Sequence, residues 1–155
     1  MSLESVRAFF AEKAADIAVI ESPISSATVA LAAEAYGVEP GRIAKTLSLR
    51  IGECVVLIIA SGTARMDNKK LKARFGGKPK MLGVDEVADI TGHEVGGVCP
   101  FGLRTPLPVY CDLSLKAFDE VVPAAGSTHS AVRIAPSRMA ELVDAEWIDV
   151  CQEPA

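Results

Sequence analysis

KTLSLRIGECVVLIIA, residues 45–60, decides the fold. Its first half alternates: Leu47, Leu49 and Ile51 fall on one face and Thr46, Ser48 and Arg50 on the other, which predicts a half-buried strand over 45–51. Gly52-Glu53 is a two-residue turn. The second half, Cys54 to Ala60, is apolar at nearly every position, the pattern of a strand buried on both faces in the middle of a sheet. A hairpin of this kind has to be covered by the rest of the chain.

The flanking segments read as those covers. Leu3–Ala15 has helical spacing behind a Ser2 cap, and Ala27–Tyr36 is an alanine-rich helix closed by Gly37. Asp67 caps a helix over Asn68–Phe75 that ends at Gly76-Gly77, Asp85–Thr91 is a helix closed by Gly92, and Pro136 opens one through Val143. Short strands are expected at Ile17–Ile20, Lys80–Leu82, Glu120–Pro123, Ala131–Ala135 and Trp147–Val150. Leu107–Cys111, flanked by prolines, is a strand near a sheet edge or one that starts after a kink, and Leu113–Phe118 is a turn or short helix. Strands and helices mix without strict alternation. The expectation is a single compact α+β domain over residues 1–155, with a mixed, largely antiparallel sheet and helices packed around it.

Half of the 155 residues are hydrophobic and 23% are charged, which excludes a disordered chain. The net charge of −4 gives no global attraction to nucleic acid, so a polyanion would have to meet a local basic patch. Cys54, Cys99, Cys111 and Cys151 form no CxxC and no common zinc spacing, and read as reduced thiols of a cytoplasmic protein. The amphipathic, acid-bearing start does not read as a signal peptide. No apolar run approaches the ~20 residues that span a bilayer, so no membrane association is expected.

Chemistry concentrates in two places. Gly96-Gly97-Val98-Cys99-Pro100-Phe101-Gly102 packs three glycines and a proline into seven residues, a loop whose N–H groups can turn toward a ligand. Lys45 stands where the chain enters the first strand of the hairpin. A cation facing such a loop is a place to hold an electron-rich group. A Cys99 dyad with His93 or His129 is conceivable, beside the plainer reading of a packed loop thiol. No metal-ligand spacing is present, the loop lacks the lysine-serine ending of a phosphate-binding loop, and no cofactor is implied. Arg65, Lys69, Lys70, Lys72 and Arg74, with Lys78 and Lys80 after them, form a basic run that is either a solvated helix face or a contact for a phosphate backbone.

Four motifs, in order, resemble the YbaK/EbsC/ProX family, free-standing relatives of the editing domain inserted in bacterial prolyl-tRNA synthetase: Ala32–Val38, Ile43–Leu47, Gly96–Gly102, and Ala125-Gly126-Ser127 followed by Val132–Pro136. The resemblance runs from about residue 20 to residue 143. It implies an aminoacyl-tRNA deacylase, a trans-editing hydrolase of the ester at the terminal adenosine that removes a small amino acid such as Ala, Ser, Thr or Cys. It implies Lys45, Gly96 and Gly97 as catalytic residues: the lysine contacts the substrate, and the N–H groups of the glycine–proline loop stabilise the oxyanion. Thr46, Val98, Pro100, Ser127 and His129 are then the substrate-binding candidates. Lys69, Lys70, Lys72 and Arg74 are the tRNA-binding candidates. Aminoacyl-tRNA is the expected partner, with an aminoacyl-tRNA synthetase as a further one, and no protein nucleophile is needed. The chain departs from cysteine-specific members in carrying Val19, Ile20 and Glu21 where they often have a tyrosine, and Ser127-Thr128-His129-Ser130 where they have a short basic run. The alternative is a non-catalytic tRNA- or synthetase-binding module of the same fold.

Overall fold

The hairpin forms with the expected register. In a computed structural model that describes Ser2 to Glu153, β2 (Ile43–Ile51) and β3 (Cys54–Ser61) pair antiparallel, Ile51 opposite Cys54, across a turn where Gly52 takes φ +63°. β3 is central: Leu57 and Ile59 enter one apolar core and Val56 and Ile58 another, as its unbroken apolar run requires. The first core lies under α1 (Ser2–Lys13) and α5 (Pro136–Leu142), with Phe10, Phe101 and Met139 buried. The second lies under α3 (Asn68–Phe75), which buries Leu71 there. A third cluster holds α2 (Val29–Tyr36) against Ile43, Val122 and Ala131.

Helix ends follow local chemistry. Thr28 caps α2 through the Leu31 N–H at 3.2 Å, so this helix starts two residues after the expected Ala27. Asp67 caps α3 through the Lys69 N–H at 2.9 Å. Gly37, Gly76 and Gly92 close α2, α3 and α4 (Val84–Thr91) in the left-handed conformation. The expected strand at Ile17–Ile20 shrinks to β1 (Ile20–Glu21), because the Ile17 N–H closes a turn onto Ala14 O at 3.0 Å.

The sheet runs β4 (Pro79–Met81), β2, β3, β5 (Val109–Asp112), β8 (Glu146–Ile148). Its centre and β4 are antiparallel, whereas β3–β5 and β5–β8 are parallel. β5 starts directly after Pro108 and pairs on both sides, so its prolines mark a kinked entrance. β1 pairs with β7 (Ser130–Ala131) in a separate two-stranded ribbon. The feature that makes the site is on the outer edge of β2. β4 covers that edge at Leu49–Ile51, β6 (Val122–Pro123) covers it in parallel at Ile43-Ala44, and residues 45–48 between them have no strand partner there among the described residues.

Candidate functional site

A cavity of about 330 Å³ fills this gap in the sheet edge. β2 supplies Lys45, Thr46 and Ser48, α2 supplies Ala32 and Tyr36, and Gly96 and Val98 close it from the glycine loop. Main-chain groups of an antiparallel strand point alternately to its two neighbours. Leu82 N–H donates to Ser48 O at 3.1 Å on the outer side, so the Thr46 N–H and C=O also face outward, into the stretch that no strand covers. On the polar face of β2, Arg50 keeps 38% of its side chain exposed while the positions nearer the cavity are more enclosed. Ser48 is buried, and the Thr46 hydroxyl is buried without a hydrogen-bond partner among the described residues.

Lys45 lines the cavity, yet its ammonium is turned along the sheet. Nζ donates to Ala64 O at 2.5 Å and to Gly62 O at 3.4 Å, and no carboxylate among the described residues pairs with it. Burial, aided by the nearby charge of Arg65, pulls its pKa below the ordinary 10.5. Two of its three donors are occupied by these carbonyls and one remains.

The glycine loop is built by close backbone crossings. A Cβ on Gly97 would stand 2.6 Å from Ser127 N, and one on Gly126 would stand 2.6 Å from Ser2 O at the start of α1. Gly96 takes φ +93°. These approaches stack the 96–98 segment on residues 126–127 and those on α1, with Gly126 N–H donating to Gly97 O at 3.0 Å. One expectation is corrected here. The Gly97 N–H donates to Glu94 O at 2.9 Å and is not available to a ligand. The N–H groups of Gly96 and Val98 have no acceptor among the described residues, so they are the donors this loop offers.

The remaining candidates divide. Thr46 and Val98 are in the cavity wall. Pro100 is buried behind the loop, Ser127 bonds Ser130 through their hydroxyls at 2.6 Å, and His129 is exposed with Nδ1 2.9 Å from Thr128 Oγ1; none of the three lines the cavity. Of the basic run, Lys70 pairs with Asp149 at 3.0 Å and bonds Cys151 O at 2.8 Å, and Arg74 pairs with Glu146 and stacks on Phe75 and Tyr110. Lys69 and Lys72 are exposed with no ion partner among the described residues. Sequence reading missed Tyr36 and Ser48. Tyr36 ends an alanine-rich helix and carried no signal beyond its size; Ser48 carried only its place between Thr46 and Arg50 on the polar face of the strand.

The conceivable Cys99–His93 dyad exists as a contact and not as a reactive pair. Cys99 Sγ is 3.6 Å from His93 Nε2, and Nε2 is 2.7 Å from Phe101 O. Burial pushes the Cys99 thiol up to about 12 and lowers the His93 imidazole from 6.5. Both side chains are inaccessible, at 0% and 1% exposure. No group of three His, Cys, Asp or Glu side chains among the described residues could hold a metal ion, and no helix among them is long and apolar enough to cross a membrane.

Comparison with known proteins agrees with the motif reading. The chain is 50% identical over 155 residues to the uncharacterized YwhH of Bacillus subtilis, covering 99% of each. It is 29% identical over 121 residues to EbsC of Enterococcus faecalis, a candidate Cys-tRNA(Pro)/Cys-tRNA(Cys) deacylase, covering 76% of this chain and 73% of that one. The crystal structure of a candidate trans-editing enzyme for prolyl tRNA synthetase superposes with a TM-score of 0.90 at 32% identity, covering 98% of both chains. Residues 25–142, which contain the open strand edge, the lysine and the glycine loop, match the aminoacyl-tRNA editing domain, and the chain belongs to that family.

Proposed function

We propose that this protein hydrolyses the ester between a small amino acid and the terminal adenosine of a mischarged tRNA, acting in trans. The observation that carries the reading is the cavity at the uncovered edge of β2, lined by Lys45, Thr46, Gly96 and Val98, the last two with N–H groups that have no acceptor among the described residues. Its size suits an amino acid such as alanine, serine, threonine or cysteine. No carboxylate among the described residues lines it, so the α-ammonium of the substrate is assigned to the Thr46 carbonyl.

Water attacks the ester carbonyl carbon and gives up a proton while the carbonyl electrons move onto oxygen; as those electrons return to re-form the carbonyl, the bond to the ribose oxygen breaks and that oxygen takes the proton, releasing the free amino acid and the tRNA. An activated ester needs little acid–base assistance, so positioning and oxyanion stabilisation supply much of the rate. Gly96 and Val98 N–H groups serve the oxyanion. Each donor of this kind contributes roughly 3 kcal/mol in other enzymes. Lys45 is anchored by two carbonyls; this reading gives its remaining N–H to the substrate and uses its charge as positive potential beside the cavity. Cys99 is fully buried and takes no part in this reading; by the family resemblance the attacking water is assisted by the neighbouring ribose hydroxyl of the tRNA.

The test is a deacylation panel of correctly and incorrectly charged tRNAs at two salt concentrations, with Lys45→Ala beside the parent. Lys45→Ala is expected to lower the rate at least a hundredfold with its melting curve intact; an unchanged rate removes Lys45 from the mechanism. A second reading, a tRNA- or synthetase-binding module without turnover, draws on the Lys45 ammonium lying on carbonyls and not on the loop. It predicts that no aminoacyl-tRNA in the panel is hydrolysed while uncharged tRNA binds.

A further inference from the structure

Three large apolar side chains stand out in water around the mouth of this same cavity. Met81 is 63% exposed, Val84 68% and Val95 52%, and they come from three different segments: β4, the first residue of α4, and the residue before Gly96. Among the described residues only Ile24, Leu31 and Leu113 are other exposed large hydrophobics, and none of these lines the cavity. An exposed aliphatic side chain alone needs no explanation; three converging on one opening form a surface that water wets poorly.

We propose that this collar is the seat of the terminal adenine base of the tRNA. The inference rests on the deacylase reading in one respect: the aminoacyl group occupies the cavity. The ester then fixes the terminal ribose at the mouth, and its base must lie within a few ångströms of the scissile carbonyl. Val95 adjoins Gly96, whose N–H the deacylase reading assigns to that carbonyl, and both residues line the cavity, so the collar lies next to the ester. Adenine presents two flat, weakly hydrated faces, and covering them with Met81 and the two valines removes apolar surface from water on both partners. The polarizable thioether of Met81 suits a π face.

Charge sets the direction of the strand that follows. Lys78 and Lys80 both precede Met81, are exposed, and have no ion partner among the described residues. Asp85 follows Val84 and Glu94 precedes Val95, both exposed. Phosphates are therefore drawn over β4 and repelled from the α4 side, and the single-stranded end leaves the cavity toward Lys80 and the exposed face of α3.

The experiment is methyl NMR with an acceptor-stem RNA microhelix ending in CCA, compared with the same RNA lacking the terminal adenosine. The CCA-ended RNA is expected to shift the Met81, Val84 and Val95 methyl signals upfield by ring current, and the shortened RNA to leave them in place. Met81→Gln with Val84→Ser changes only exposed side chains, so the fold is retained. This pair is expected to raise Kd for the CCA-ended RNA roughly tenfold, without changing Kd for the shortened one. Equal shifts with both RNAs, shifts confined to other methyls, or an unchanged Kd overturn the proposal. So does a collar that responds to an aminoacyl-tRNA synthetase and not to RNA, since it would then be a protein-docking surface. Adenine-dependent shifts in a protein that hydrolyses no aminoacyl-tRNA would sink the catalytic reading and support this one.

Discussion

Replacing Gly97 with alanine adds one methyl group at the tightest point of the site. That carbon would stand 2.6 Å from Ser127 N and 2.8 Å from both Gly126 C and Ser127 Cα, all of them backbone atoms, where ordinary contact begins at 3.4 Å. One of the two segments must retreat by the better part of an ångström. Residues 126–127 cannot, because Gly126 is wedged from behind by Ser2 O of α1 and its own carbonyl accepts the Ser2 hydroxyl. The 96–98 segment therefore moves, stretching the bond from Gly126 N–H to Gly97 O and carrying the Gly96 and Val98 donors off the cavity.

Overpacking of this kind costs about 1–3 kcal/mol. In a chain of this length that lowers the melting temperature by roughly 2–12 °C. A displacement near 1 Å at a reacting centre lowers the rate on the order of a hundredfold. Gly77→Ala is the matched control, since its added carbon meets only the Ile51 Cγ2 methyl at 3.3 Å, which can yield. Thermal melts and single-turnover deacylation, run on both variants, separate the effects. Gly97→Ala melting and turning over like the parent would refute the packing argument. Lost stability with a retained rate would refute the placement of the oxyanion donors on this loop.

Two further outcomes follow from charge. The folded pKa of His93 lies below 6.5 because burial disfavours the imidazolium. Between that value and 6.5 the unfolded chain binds more protons, so stability rises with pH through this window and falls on acidification. His93→Gln keeps a donor for Phe101 O and does not titrate; urea unfolding across the mildly acidic range is expected to show a flatter pH profile, and an unaltered slope would clear His93. For tRNA binding, Lys69→Ala and Lys72→Ala should each reduce the slope of log K against log salt by about 0.7–0.9. Lys70→Ala should change it less, because Asp149 and Glu153 already neutralise that ammonium. Equal slopes for all three would show that the intramolecular pairs do not decide which lysines meet phosphate.

What could be read from residues alone was whatever chemistry keeps local. The hairpin over 43–61 was legible because period-two alternation, a glycine turn and an unbroken apolar run each depend only on near neighbours. The closures at Gly37, Gly76 and Gly92 were legible for the same reason. The parallel neighbours of β3 and β5 were not, since pairing between distant short strands is a tertiary choice. In the site, the glycine pattern announced a backbone-shaped loop, but which N–H stays free depends on a turn to Glu94 O. Strand parity told which face Lys45 takes and nothing about the path of its four-carbon stem to Ala64 O. The basic run hid its own neutralisation, because the acids that engage Lys70 and Arg74 lie more than seventy residues away in the C-terminal segment.

The Cys99–His93 contact bears on the proposal that the loop acts through its amides. A thiol held at about 12 carries roughly one thiolate per hundred thousand molecules at neutral pH. At 0% exposure, that thiolate meets no substrate. The sulfur and the imidazole instead share Phe101 O, at 3.7 Å and 2.7 Å, and so tether the far end of the loop while Gly97 is tethered to Glu94 and Gly126 at the near end. Donors held at both ends lose little further freedom when charge develops on the substrate, which is the condition under which main-chain N–H groups stabilise an oxyanion well. Residues that would serve as nucleophile and base on an exposed surface here confer rigidity, and that rigidity is what an ester already activated by its ribose leaving group requires.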